Sequence, residues 1–434
     1  MATLEIAEVL AALVISEGLQ EQFRFQHQMW WHAVETMALG VRTNAQTKKE
    51  LSRVLLFEIT RREEWVRKIL GHDLNIRSPK QLSDLFYADL RCPEIKIRTK
   101  LGSRVSTNEE ALLQIATRVP LTRPLVQRIL EIRSLGVFRS TFVESRLDID
   151  GRIRCSYNVA GTDTFRFSSS QNAFNSGMNL QNVPKGNEDA GIGELTLELP
   201  NIRKLFLPDP GFEIFDIDLA SADLRIVVWE SNERELKQML AAGLDPYTEI
   251  AKEFHNDPSI SKRDPRRQLF KSFCHGTNYL GSARGLAKRL GLSVQQSERT
   301  QAWYFHRFPR IKQWQDDLKA KVTATRTITN AFGYRKYFFD RIDGTVFNRA
   351  AAWVPQSTVG LLINRIWDRL RKEEPDIQIL LQVHDSLVGC YPIVRQSYYR
   401  ARIQELSRIE IPYSDILVIP TGIKYSDKSW GDCK

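Results

Sequence analysis

Cysteine is scarce. The 434 residues hold five, Cys92, Cys155, Cys274, Cys390 and Cys433, and no two share a CxxC spacing. That excludes a disulfide framework or a structural zinc site as the organising device, and it fits a reducing compartment. No run is long and apolar enough to predict a bilayer span. Met1 to Glu8 carry two glutamates and no Lys or Arg, against the pattern of a secretory or transit leader. Internal repeats and low-complexity tracts are missing too. Negative charge is in short supply: 52 Asp and Glu stand against 62 Lys and Arg, a net charge of +10. An excess of that size points to a polyanionic partner. The length allows two or three lobes with ample core.

One stretch organises the rest. Glu213-Ile214-Phe215-Asp216-Ile217-Asp218 begins as an alternating strand, and a second acid, Asp223, follows five residues after Asp218. A carboxylate at the end of a buried strand is costly unless paired or metal-bound. Far along the chain, Leu380-Leu381-Gln382-Val383-His384-Asp385 again runs a short β-type stretch into an acid. Two such ends brought together make an oxygen-rich site suited to magnesium.

Between them lies a helix with a chemical face. Arg267, Lys271, His275 and Tyr279 recur every four residues and so share one side. Two cations, an imidazole and a phenol suit a triphosphate with a base above it; a solvated basic helix is the plainer reading.

The remaining chain reads more plainly. Residues 1–75 are helical, with Leu4, Val9, Leu10, Leu13 and Val14 making the first helix apolar enough to pack against something. Ser78-Pro79 opens another helix. Lys96, Arg98, Lys100 and Arg104 punctuate a basic loop over 92–104, open either to solvent or to phosphates. Ser106-Thr107-Asn108-Glu109 has the form of a capping box. Amides and hydroxyls over 161–170 and 179–184 surround Arg166 and suit sugar, phosphate and base edges, unless they are simply surface loop. Residues 185–198 read as an exposed acidic loop, 221–242 as helix, 327–335 as a hairpin, and about 348–373 as a helix carrying Arg349 and Gln356.

With these residues laid out, roughly residues 25–434 resemble the polymerase domain of family A DNA polymerases, the DNA polymerase I type. Asp218-Leu-Ala-Ser-Ala-Asp223-Leu-Arg225 is similar to the family's first carboxylate motif, and Gln382-Val383-His384-Asp385 to its second. Arg267-x3-Lys271-x3-His275-x3-Tyr279 looks like its nucleotide-binding helix. Asp150-Gly151-Arg152-Ile153, Arg166-Phe167-Ser168-Ser169 and Asn179-Leu180-Gln181-Asn182 are further likenesses.

The resemblance implies an α+β right hand: a palm with an antiparallel sheet, helical fingers and a helical thumb. It places an N-terminal helical region at 1–79, thumb at 80–145, palm at 150–229 and 326–434, and fingers at 230–325. It implies template-directed addition of deoxynucleotides to a primer 3′-hydroxyl, with Asp218 and Asp385 holding two Mg²⁺ ions (Mn²⁺ as a substitute) and Lys271 protonating the leaving group. Arg267, Lys271, His275, Tyr279, Asp223 and Leu219 would bind the nucleotide. Arg166, Gln181, Asn182, Gln356, His384, Arg349, Lys96, Arg98 and Lys100 would bind primer–template DNA. A cytoplasmic setting in a bacterial or phage-infected cell is implied, with no membrane contact. A polymerase with relaxed sugar or template choice, and a non-catalytic DNA-binding relative, are the alternatives.

The departures are specific. Asp223 stands for the usual Glu, which raises weaker discrimination against ribonucleotides. His275 stands for Phe or Tyr, an imidazole open to charging near pH 6.5. Leu280 replaces Gly, Ser386 replaces an acid, and Tyr247 replaces a phosphate-contacting His. The Arg349 to Gln356 spacing is one residue short, so either Arg349 or Asn348 fills the DNA-contacting place. The chain leaves no room for a proofreading exonuclease domain, so synthesis without 3′–5′ proofreading is expected. A separate nuclease or processivity subunit is a candidate partner for the first helix.

Overall fold

The computed structural model describes residues 2–99, 102–185 and 199–434. They fall into two compact units, one of residues 1–38, 157–169 and 215–424, the other of 39–156, 170–214 and 425–434.

The first unit is built on a four-stranded sheet. Gln378–Val383, Ser386–Pro392, Phe212–Leu219 and Thr421–Ser426 lie side by side in that order. From Phe215 on, the strand Phe212–Leu219 alternates as its sequence requires: Phe215, Ile217 and Leu219 are buried, while Asp216 and Asp218 point the other way. Gln378–Val383 and Ser386–Pro392 pair antiparallel down to Val383 opposite Ser386, leaving His384-Asp385 as a two-residue turn. The sheet packs tightly enough to exclude a methyl group at Gly389, where a Cβ would stand 2.4 Å from the Phe215 ring.

The helix Gly344–Glu373 is buried along most of its length. It starts earlier than its sequence predicts because the Asp343 carboxylate accepts from the Thr345 and Val346 N–H groups, at 2.8 and 3.1 Å. Near its C-terminal end Trp367 is fully buried against Phe167. The buried pair His32–Asp368 (2.9 Å) ties the helix to Gln20–Leu39.

A helical lobe follows the Asp218 strand. Residues 221–242 form two helices, Ala222–Ser231 and Arg234–Ala241, because Asn232 takes a left-handed conformation (φ 50°) and stops the first. Leu224, Val228, Leu236, Ile250, Phe270, Cys274, Tyr304 and Phe308 share the lobe's core. Phe270 and Cys274 lie on the inner side of Pro265–Asn278, which fixes that helix's rotation and turns Lys271 outward.

The first helix, Ala2–Ser16, carries its apolar side chains in the open. Leu4, Ile6, Val9, Leu10, Leu13 and Ile15 are each 52–66% exposed, so it does not pack onto the chain's own described residues. Its apolar side chains point in all directions and give no single face for a body to cover. No described helix is long and apolar enough to cross a membrane.

The second unit is mainly helical around Ala45–Leu70, Glu109–Arg118 and Arg123–Phe138. Buried Glu131 is neutralised by Arg62 (2.7 Å) and Arg128 (2.6 Å). A small sheet orders Arg152–Ile153, Val41–Thr43 and Phe206–Leu207. Three local readings change here. The cap of Glu109–Arg118 is Asn108, accepting from Ala111 N–H at 2.9 Å; Ser106 accepts from Asn108 N–H and makes no capping box. The basic loop over 92–104 is a β-hairpin for much of its length, with Lys96–Thr99 antiparallel to Gly102–Val105. There Lys96 pairs with Glu94 at 3.2 Å, while the Arg98 side chain and all of Lys100 lie outside the described residues. Of the loop expected at 185–198, residues 186–198 lie outside them as well.

Candidate active site

Two tight turns bring three carboxylates into one neighbourhood of the first unit. Past Asp218 the strand is pinned by Ala220 N–H donating to the Pro420 carbonyl (3.0 Å). Ser221 then turns left-handed (φ 52°), and Asp223 enters in the first turn of Ala222–Ser231. Asp385 comes from the other turn, where His384 has φ 53°. A two-residue turn with positive φ at its first position matches strand twist, and His tolerates that region better than most residues. Gln382 holds the turn, its amide donating to the His384 carbonyl at 2.7 Å.

Arg166 stands among the acids. Its Nη2 donates to Asp385 Oδ1 at 2.7 Å and lies 3.5 Å from Asp223 Oδ1. The segment carrying it presses on Gly360, where a Cβ would stand 2.7 Å from the Thr164 carbonyl. Burial pushes the Asp385 carboxyl up to about 6; Arg166 opposes the shift, and the Asp223 and Asp218 charges add to it. About a third of the side chain (34%) remains open, so the cause is crowding in a cleft rather than complete enclosure. Three acids against one guanidinium leave the site short of positive charge. Two carboxylates that reach solvent are the donor set of a hard divalent cation that keeps water and substrate oxygens as its other ligands. Asp218 and Asp385 fit that role.

The helix Pro265–Asn278 supplies the cationic face. Asp264 caps it, accepting from Arg266 N–H at 2.8 Å. Arg267, expected to face phosphates, is only 7% exposed and is tied to Asp245 Oδ2 through Nε (2.8 Å) and Nη2 (2.7 Å). Thr248 donates to the same oxygen at 2.7 Å, and the guanidinium lies over the Tyr247 ring, 5.4 Å from its centre. Lys271 is exposed and has no ion pair among the described residues.

His275 and Tyr279 sit ring against ring, with centroids 4.4 Å apart. Burial lowers the His275 pKa, Asp223 partly offsets this, and Arg289, Lys271 and Arg166 push it lower still. Charging of the imidazole is thereby shifted to lower pH than for a free histidine. Its folded value lies below its unfolded value, so its stabilising contribution is present above the unfolded pKa and lost as pH falls. The variant His275→Phe is expected to lose less melting temperature than the parent between about pH 6.5 and pH 5. Parallel melting curves over that range check this.

Tyr279 closes the helix. Its phenol lies against the Asp223 carboxylate without closing a hydrogen bond of good geometry, and burial, then Asp223, raise its pKa. The next residue, Leu280, is left-handed (φ 59°) where glycine would be unstrained. Gly281 is needed for a different reason: a Cβ there would stand 2.6 Å from the Gly276 carbonyl.

The other sequence candidates fall in varied places. Leu219 is buried in the strand, Gln356 is half-buried on its helix, and His384 is exposed at the turn. Arg349 pairs with Asp340 at 2.6 Å, whereas the Asn348 amide is placed to donate to the Gly344 and Leu280 carbonyls. Gln181, buried, and Asn182, exposed, form one turn of 3₁₀ helix in the second unit. Asp245 and Thr248, which hold Arg267, went unnoticed in the sequence; the Asp-Pro helix start at 245–246 was the available signal.

Residues 45–414 match the model of DNA polymerase family A. The chain belongs to that family. It is 26% identical over 400 residues to the thermostable DNA polymerase I of Thermus aquaticus, covering 89% of this chain and 45% of that protein. It is 29% identical over 366 residues to DNA polymerase I of Geobacillus stearothermophilus, covering 80% of this chain and 39% of that one. The chain thus spans less than half the length of these curated relatives. Among solved structures, the POL domain of Pol1 from M. smegmatis, a complex with DNA primer-template and dNTP, superposes with a TM-score of 0.84 at 22% identity. That match covers 99% of this chain and 74% of the other, and its fold is the right-hand polymerase fold.

Proposed function

We propose that this chain is a template-directed DNA polymerase that adds deoxynucleotides to a primer 3′-hydroxyl. The observation that carries the reading is the meeting of Asp218 and Asp385 in a cleft short of positive charge, in a chain of this family. We assign the palm to 150–229 and 326–434, the fingers to 230–325 and the thumb to 80–145. Asp218 and Asp385 would hold Mg²⁺, which when bound neutralises phosphate charge and makes the primer hydroxyl a better nucleophile. The chain's own residues supply positioning and electrostatics, the larger part of phosphoryl-transfer catalysis. Lys271, exposed and unpaired, takes the triphosphate and donates a proton to the departing pyrophosphate. Arg267 reaches the phosphates only by exchanging Asp245 for them. His275 and Tyr279 wall the sugar and base, and Asp223 faces the sugar. Arg166, once released by Asp385, is free for the primer end, with Gln356, His384 and Arg349 along the duplex. Gln181, Asn182, Lys96, Arg98 and Lys100 are proposed DNA contacts of the second unit. Extension of one DNA primer on DNA and RNA templates, with dNTPs and rNTPs side by side, tests the reading. A protein that binds DNA and extends nothing would be the non-catalytic relative.

The poorly aligned contact between Asp223 and Tyr279 favours relaxed sugar choice. Both the Asp223 Oδ1 and the Tyr279 phenol are buried without a hydrogen bond. One more methylene, in Asp223→Glu, would let the carboxylate align with the phenol and fill the place of a 2′-hydroxyl. Selectivity for dNTP over rNTP is expected to rise about fivefold, the worth of one hydrogen bond near 1 kcal/mol. Competing single-nucleotide incorporation reads it directly; an unchanged ratio would remove Asp223 from sugar selection.

A further inference from the structure

The strand Arg335–Tyr337 and the two residues after it run extended along the surface of the first unit. Their side chains alternate: Phe338 is buried, while Arg335, Tyr337 and Phe339 share the solvent side. The result is a row of one guanidinium and two rings. Phe339 is 90% exposed, an unusual place for a large apolar side chain. The Tyr337 and Phe339 rings are nearly parallel, 13° apart, with centroids separated by 6.4 Å. Two van der Waals layers of about 3.5 Å each span about 7 Å. The 6.4 Å between centroids is the upper limit on the spacing of the ring planes, so a flat group enters between them as the exposed Phe339 swings outward.

The rest of the row is prepared for such a guest. Glu17 and Arg335 fix the Tyr337 hydroxyl, at 3.2 and 3.0 Å, so one wall is held and the other is free. Arg341 is exposed without an ion pair among the described residues, two positions beyond Phe339. Aromatic faces interleaved with cations, on a basic protein, form a platform for single-stranded nucleic acid, because every base has a stacking face and every linkage a negative charge. We propose that Tyr337 and Phe339 hold one unpaired nucleobase between them, with Arg341 serving a flanking phosphate, while Arg335, ion-paired with Glu17 at 2.8 Å, braces the Tyr337 wall. The ligand class is single-stranded DNA. Under the polymerase reading, on which this assignment of DNA over RNA rests, it is the unpaired part of the template strand.

The test is fluorescence anisotropy of a labelled oligothymidylate of about twelve residues, at low and moderate salt. Phe339→Ala is expected to weaken binding about tenfold, the effect of removing one stacking partner. Phe339→Trp is expected to restore it. An abasic oligomer of the same length should bind the parent and Phe339→Ala alike, because it offers charge and no face to stack. Equal affinity of parent and Phe339→Ala for oligothymidylate would overturn the proposal, as would equal binding of abasic and normal oligomers by the parent. Single-nucleotide extension on a template with a one-base overhang keeps the two readings apart. If the parent fails to extend while Phe339→Ala still loses affinity, the polymerase reading falls and the base-binding site stands.

Discussion

Asp385→Asn is expected to cut the rate of templated nucleotide addition by about a thousandfold or more, the scale of losing a group that organises charge at the reacting phosphate. The substitution keeps the shape of the turn and removes one negative charge. Stability should move the other way. In the free protein Asp385 is crowded by Asp223 and Asp218, with Arg166 the partner that offsets them. Removing its charge relieves that repulsion while Arg166 keeps Asp223 at 3.5 Å. The melting temperature is therefore expected to stay level or rise while activity vanishes, the usual opposition of stability and function at a charged site. Rapid-quench incorporation and a melting curve on the same preparation check both halves. A marked fall in melting temperature would mean that Asp385 is mainly structural.

Lys271→Ala and Arg267→Ala should separate two roles that the sequence places on one helical face. Lys271 is exposed and unpaired, so its loss should spare stability and lower kcat/KM for dNTP by about a hundredfold. Arg267 is buried, with Asp245 as its partner. Removing it leaves that carboxylate uncompensated, at a cost of about 3 kcal/mol. Its variant should therefore lose melting temperature as well as activity. Steady-state kinetics beside denaturant unfolding distinguishes them. If both variants behave alike, the helical face acts as a unit and the Asp245 contact carries little energy.

What the sequence reveals here follows from the range of the forces involved. The Asp218 strand end and the Asp385 turn are local features, an alternating apolar run broken by an acid, and both are legible. The four-residue spacing of Arg267, Lys271, His275 and Tyr279 is local too, and fixes a shared face. Whether a member of that face meets solvent is a tertiary matter. Asp245 lies 22 residues from Arg267 and reaches it only because two helices pack together. The lowered pKa of His275 likewise comes mainly from desolvation, which no spacing records. In the first helix apolarity was plain, but it could not say that the chain's own body leaves the helix bare. The Asn108 cap shows the short-range limit: Ser106 and Asn108 are both good caps, and the choice depended on where the helix could start.

The central claim is that the Asp218–Asp385 cleft performs templated synthesis. The most direct measurement offers the four dNTPs one at a time, with Mg²⁺, to a labelled primer on a template whose next base is known. The expected result is one added residue with the complementary nucleotide alone, abolished in Asp385→Asn. No addition by the parent chain, addition regardless of the template base, or full activity in the Asp385→Asn variant would contradict it.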